Sequence, residues 1–244
     1  MSEITTKEKI FNVAIDLFSR KGYNEVSIRE IAKGVGIKES SIYYHYSKKE
    51  DILDNIFKYY LKMMNKVEIS EEQMEELLNQ NPKIFYHFGS EAIKKQYATL
   101  KMTKILRLIF IELYHNEKIR EFFLSELINK PIWFWTLFFQ RLIDKKIIEP
   151  VNPKKLAENY YNYAMFKMFE AIILKYPEDP REVDIGEIFD NIENHFDFIF
   201  ASVAINKKLI KYKSYKRTIN KTIIKGIAIN KNDIEEVDDE NNNL

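Results

Sequence analysis

The stretch SIREIAKGVGIKESSIYYHYSKKEDIL, Ser27 to Leu53, decides the fold class. Ser27 followed by Glu30 is a capping box: the hydroxyl accepts from the backbone three residues on, and the Glu side chain reaches back to the cap. Ile28, Ile31, Ala32 and Val35 then repeat at the spacing of one helical face. Gly36 suits the left-handed conformation that stops a helix, Ile37 can tuck inward, and a further helix is predicted from Lys38 to Tyr46. Ser47 with Glu50 predicts the start of a fourth.

Upstream, Thr5 with Glu8 opens a helix whose apolar stripe is Ile10, Val13, Ala14, Leu17 and Phe18, ending near Gly22. Support helix, short helix, glycine turn and third helix make a helix-turn-helix unit, in which the third helix enters the major groove. Its composition agrees. Ile42 and Tyr46 point to the core, and Ser40, Ser41, Tyr43, Tyr44 and His45 remain as a face of hydroxyls, rings and one imidazole.

Downstream, helices are expected at 71–80 (from a box at Ser70 and Gln73), 90–116, 118–129, 131–147, 154–176 and 185–205. Breaks are expected at Pro82, Pro131, Pro150, Pro153, Pro177 and Pro180. Ile185, Phe189, Ile192, Phe196, Ile199 and Val203 form a heptad seam, read as the dimerisation surface of a four-helix bundle shared by two subunits. The expected architecture is all-α: a DNA-binding unit over 1–50, a helical effector-binding and dimerisation domain over 51–205, and a charged tail over 206–244. In that tail nine Lys or Arg precede six Asp or Glu without mixing, which fits a solvated or self-pairing appendage or a tether to phosphates.

Composition narrows the function. Thirty-eight basic and thirty-seven acidic residues leave a net charge of +1, so DNA binding must come from placed contacts rather than bulk charge. The chain has no cysteine, which removes disulfides, thiol nucleophiles and cysteine metal sites. The start lacks a signal-peptide apolar region, and no apolar run approaches the ~18 residues of a membrane span. A cytoplasmic location is expected.

From Ile10 to Leu53 the chain resembles the TetR family of regulators in continuous register, through Ala14, Leu17, Phe18, Gly22, Tyr23, Val26, Ser27, Ile31, Ala32, Gly36, the run Ser41 to Tyr46, and Lys48 to Leu53. The resemblance implies a homodimeric regulator, a repressor on a palindromic operator, whose divergent helical domain binds a small-molecule effector. It places Ser27 and the start of its helix on phosphate, with Arg29, Lys38, Ser40, Ser41, Tyr43, Tyr44 and His45 on bases or backbone, and Lys49 on a phosphate. Lys38 stands where a capping Ser is common and Glu39 where a basic residue is common. Glu39 is either a reader of a cytosine amino group or an acid favoured by the helix dipole.

Other constellations are weaker. Glu112 and His115 have the Glu-x-x-His spacing of a di-iron bundle, but His195 and His87 lack the matching Glu three residues earlier. No nucleophile triad or phosphate loop stands out, so neither enzyme chemistry nor a cofactor is expected. Seven Phe or Trp lie between Phe122 and Phe139, which ordinary core packing explains. In a TetR-like frame Tyr114, Trp133, Trp135 and Tyr163 become candidates for an effector pocket suited to flat apolar or cationic ligands. A DNA-binding structural protein whose helical half recruits a protein partner is the alternative function.

Overall fold

A computed structural model describes residues 4–66 and 71–206. Its described residues form eleven α-helices: α1 (Thr6–Lys21), α2 (Ile28–Val35), α3 (Glu39–His45), α4 (Lys49–Asn65), α5 (Glu71–Gln80), α6 (Pro82–Tyr97), α7 (Leu100–Glu112), α8 (Glu117–Phe122), α9 (Lys130–Asp144), α10 (Pro153–Phe169) and α11 (Ile185–Val203). None is long and apolar enough to cross a membrane. The box expected at Ser70 and Gln73 and the charge-segregated residues 207–244 lie outside the described residues.

The caps at Thr5 and Ser27 form as expected, each hydroxyl accepting from the Glu three residues on while that carboxylate takes the cap N–H. Gly36 closes α2 in the left-handed conformation at φ 77°. Gly34 permits the α1–α2 crossing, because a Cβ there would lie 2.7 Å from Val13 Cγ1. The fourth helix departs from expectation: its cap is Lys48, whose N–H donates to Asp51, while the Glu50 carboxylate takes Lys48 and Lys118. Ile52, Leu53, Ile56, Phe57 and Tyr60 carry α4 into the main core, so a boundary at residue 50 falls in its first turn.

Two further expectations give way to local chemistry. The helix expected over 90–116 is two helices, because Asn81 and Pro82 start α6 and the Thr99 hydroxyl accepts from Met102 N–H to start α7. Pro131 does not break the chain. Helix runs unbroken from Glu117 to Asp144, with a wide π segment at Phe123–Asn129 just before the proline. The wider turn accommodates a ring that would press on the carbonyl four residues back in an α-helix. A second π segment, Glu170–Leu174, ends the α10 run.

The main core is built from aromatic rings of α6, α9, α10 and α11. Tyr86 stacks on Phe196 at 3.7 Å, Trp135 meets Tyr160 at 4.6 Å, and Phe85 stacks on Phe138 at 5.1 Å. This packing corrects the expected dimer seam. Ile185, Phe189, Ile192, Phe196 and Ile199 are buried inside the protomer and Val203 is partly buried, so the heptad pattern records packing against α6 and α10. Opposite the seam, Phe198 on α11 is 71% exposed, and Phe166 on α10 is also exposed.

Candidate nucleic-acid interface

Ile31 and Ala32 of α2, Ile42 of α3, and Ile10, Ala14 and Phe18 of α1 share one buried cluster, which fixes the angle at which α3 leaves the surface. Tyr46 locks the far end of α3: its ring is buried and its hydroxyl accepts from Asn55 Nδ2 at 2.8 Å. The opposite side of α3 is open. Tyr43 is 52% and Tyr44 87% exposed, Ser40 is exposed, and Ser41 and His45 are half-buried. Large rings left in water on a helix anchored by two buried side chains are candidates for binding rather than packing.

Ser27 and Arg29 lie at the exposed start of α2, and Lys38 at the exposed start of α3 without a side-chain cap. Arg29, Lys33, Lys38, Glu39 and Ser40 rim a shallow hollow between the two helices. Sequence reasoning missed Lys33, although it sits four residues after Arg29 on the same face. Beside the hollow, Glu30 is held down to about 2 by the Ser27 backbone N–H, by Lys21 and by the Ser27 hydroxyl. It stays ionised, and its carboxylate is engaged by the cap.

Lys49, expected on a phosphate, has intramolecular partners in the free chain. Its ammonium turns inward, donating to the carbonyls of Tyr23 and Val26 at 2.9 and 3.0 Å and lying 4.3 Å from the centre of the Tyr23 ring. Burial lowers its pKa, opposed by the charge of Glu112. Lys48, next to it, is exposed and paired with Glu50.

This unit is tied to the rest of the molecule through α7. Lys104 pairs with Asp16 at 2.7 Å, Arg107 donates to the carbonyls of Ser19 and Ile172 at 3.1 and 2.8 Å, and Glu112 accepts from Tyr23 N–H at 2.8 Å. Arg107 also lies over the Tyr176 ring at 4.0 Å. One side chain thus joins the end of α1 to the segment that follows α10. Glu112, half of the Glu-x-x-His spacing, is engaged in this joint.

The four effector candidates are not brought together. Tyr114 is 86% exposed in the turn after α7 and Trp133 is 65% exposed on the outer side of α9. Trp135 faces inward against Tyr86, Phe138, Tyr160 and Phe196. Tyr163 stacks on His195 at 3.9 Å between α10 and α11. Trp133 and Trp135 are two residues apart, which on a helix puts them on different faces.

Residues 10–56 match the family described as bacterial regulatory proteins, tetR family. Over 62 residues, 24% of this chain, the sequence is 44% identical to the biofilm operon HTH-type negative transcriptional regulator IcaR of Staphylococcus epidermidis. That similarity spans about a third of the regulator's length, 34%. The fold is similar over a longer span to a TetR-family transcriptional regulator from Marinobacter aquaeolei, with TM-score 0.60, 18% identity, and 88% of this chain and 98% of that chain covered. It is similar also to the protein of the SmeT–triclosan complex, with TM-score 0.60, 15% identity, and 82% and 92% covered.

Proposed function

From the premise that residues 10–56 are a tetR-family domain, we propose that the protein is a homodimeric transcriptional regulator, a repressor that binds a palindromic operator in the cytoplasm and is released by a small-molecule effector. The observation that carries this is the division of α3: Ile42 and Tyr46 are sunk in the core while Tyr43 and Tyr44 stand in solvent, on the helix whose first residues share an open rim with Arg29, Lys33 and Lys38. Hydroxyls and rings on α3 would meet base edges, and the cations around it would meet phosphates.

The outward faces of α10 and α11 suit the second subunit. Tyr163, Phe166, His195 and Phe198 form an exposed or half-exposed aromatic strip there, and helix pairs of this kind assemble as four-helix bundles. An effector inserted among the rings around Trp135 would displace α10, and Arg107 would pass that movement to the end of α1. The two recognition helices would then no longer match one helical turn of DNA. The structural neighbour SmeT is in complex with triclosan, and a small molecule is likewise the kind of effector proposed for the ring cluster of this chain.

A second reading has one observation in its favour. Trp133, Phe134 and Leu137 form an exposed apolar strip on α9, which suits a DNA-bound protein that recruits another protein. Electrophoretic mobility shifts with fragments of the source genome, with and without candidate ligands, separate the two. A shift that a ligand abolishes supports the effector-responsive repressor. A ligand-insensitive shift supports the recruiting protein, and no shift at all refutes both.

A further inference from the structure

Arg29 and Glu39 face each other across the turn at Gly36, Arg29 Nε lying 4.0 Å from Glu39 Oε1 with both side chains largely in solvent. Three cations and one carboxylate share this rim. A carboxylate there is costly if the rim only grips the phosphate backbone, since it repels the anion that the cations attract. The chemistry changes if the rim meets base edges. A carboxylate accepts hydrogen bonds and cannot donate them, whereas a guanidinium donates and cannot accept. In the major groove a G·C pair shows two acceptors on guanine, N7 and O6, followed by a donor, cytosine N4. An A·T pair offers no adjacent pair of acceptors for the Arg fork.

We propose that Arg29 and Glu39 act as one reader of a G·C base pair in each half of the operator, Arg29 donating to guanine O6 and N7 and Glu39 accepting from cytosine N4. The proposal rests on the DNA-binding function above and adds a specificity determinant to it. In the free protein the two opposite charges lie 4.0 Å apart at the exposed rim, a loose contact that is readily given up. On DNA each partner exchanges the other for hydrogen bonds to a base edge, the guanidinium as donor and the carboxylate as acceptor. Lys33 and Lys38, beside the pair, are left to the flanking phosphates. As the first residue of α3, Glu39 also gains from the helix dipole, but that gain requires no Arg29.

The test is selection of binding sites from a random duplex library by the full chain and by Glu39→Gln, Glu39→Ala and Arg29→Ala. The unaltered protein is expected to enrich sites with one fixed G·C pair per half-site. Glu39→Gln is expected to admit adenine at the cytosine position, because a carboxamide pairs with adenine N6 and N7, and discrimination there falls on the order of 5- to 150-fold. Arg29→Ala relaxes the same position, and Glu39→Ala relaxes it while strengthening binding to random DNA. Thermal melts of the variants check that these exposed substitutions leave the fold intact. If the unaltered protein enriches a site and all variants keep its base preferences, the pair is not a reader and the proposal is overturned while DNA binding stands. If the unaltered protein enriches nothing, the DNA-binding function falls and the proposal with it.

Discussion

Glu112, at the end of α7, accepts the backbone N–H of Tyr23 at 2.8 Å, and the glycine beside that N–H is the residue that lets the carboxylate approach. Gly22 has φ 89°, and a Cβ on it would lie 2.4 Å from Glu112 Oε1. Glu112 is buried, so truncating it strands a donor as well as removing a charged hydrogen bond. Glu112→Ala is expected to cost about 1.5–3 kcal/mol, a fall of roughly 3–12 °C in melting temperature for a chain of this size. Gly22→Ala is expected to be destabilising on its own and less so in the Glu112→Ala background, where the clash is gone. Calorimetric melts of both single variants and the double variant check this. Additive losses would mean that the two residues are not coupled.

The family resemblance puts Lys49 on a phosphate, whereas its inward ammonium leads to a different outcome for substitution. Lys49→Met leaves the carbonyls of Tyr23 and Val26 without their donor, so the melting temperature is expected to drop by several degrees. The dependence of DNA affinity on salt is expected to keep its slope. A phosphate contact would instead make the slope shallower by about one unit per subunit. Fluorescence anisotropy over a salt series, paired with a melt, distinguishes the two roles.

The N-terminal unit is legible in sequence because its signals are local: two reciprocal capping boxes, a glycine stop, and stripes at helical spacing. The helices around Thr99 and Asn116 are harder to place, since a lone Thr or Asn caps a helix without a Glu or Gln three residues later to announce it. Pro131 misleads because the π segment that accommodates it has no sequence signature of its own. The heptad seam of α11 is a true record of burial, but periodicity cannot say whether the covering helix belongs to the same chain. Glu112, Arg107 and Lys104 join elements about 88 residues apart, a relationship to which local spacing is blind.

The exposed ring of Tyr43 and the buried Ile42 beside it give opposite expectations. Tyr43→Ala removes no core contact and is expected to leave the melting temperature within experimental error. It is expected to weaken operator binding by about 1–3 kcal/mol and random-sequence binding far less. Equal losses on both DNAs would reassign Tyr43 to the backbone.

The chain's two tryptophans differ in environment, which makes them reporters. Trp133 is exposed and Trp135 is boxed by four rings. Iodide is expected to quench the fluorescence of a Trp135→Phe variant, in which only Trp133 remains, and to spare that of Trp133→Phe. Trp135→Ala is expected to cost about 3–5 kcal/mol from lost packing, whereas Trp133→Ala stays within about 0.5 kcal/mol. Strong quenching of both single-tryptophan variants would show that the ring cluster is open to solvent.

The two faces of α11 predict opposite outcomes for a charge placed on them. Ile192 is buried within the protomer, so Ile192→Lys forces a charge into the core and is expected to unfold the chain rather than to yield monomers. Phe198 stands on the opposite face and Phe166 is exposed on α10, with the stacked pair Tyr163 and His195 on the same two helices. Phe166→Lys with Phe198→Lys leaves the buried core of the protomer intact, giving up at the surface the ring contact of Phe198 with His195, and is expected to give folded monomers, because two like charges per subunit then meet their counterparts across a symmetric interface. Those monomers are also expected to lose operator affinity, since one half-site alone cannot supply both sets of contacts. Light scattering reads the mass and circular dichroism the fold. A double variant that remained dimeric and helical would move the interface away from α10 and α11, with the strip of Trp133, Phe134 and Leu137 on α9 as the next surface to mutate.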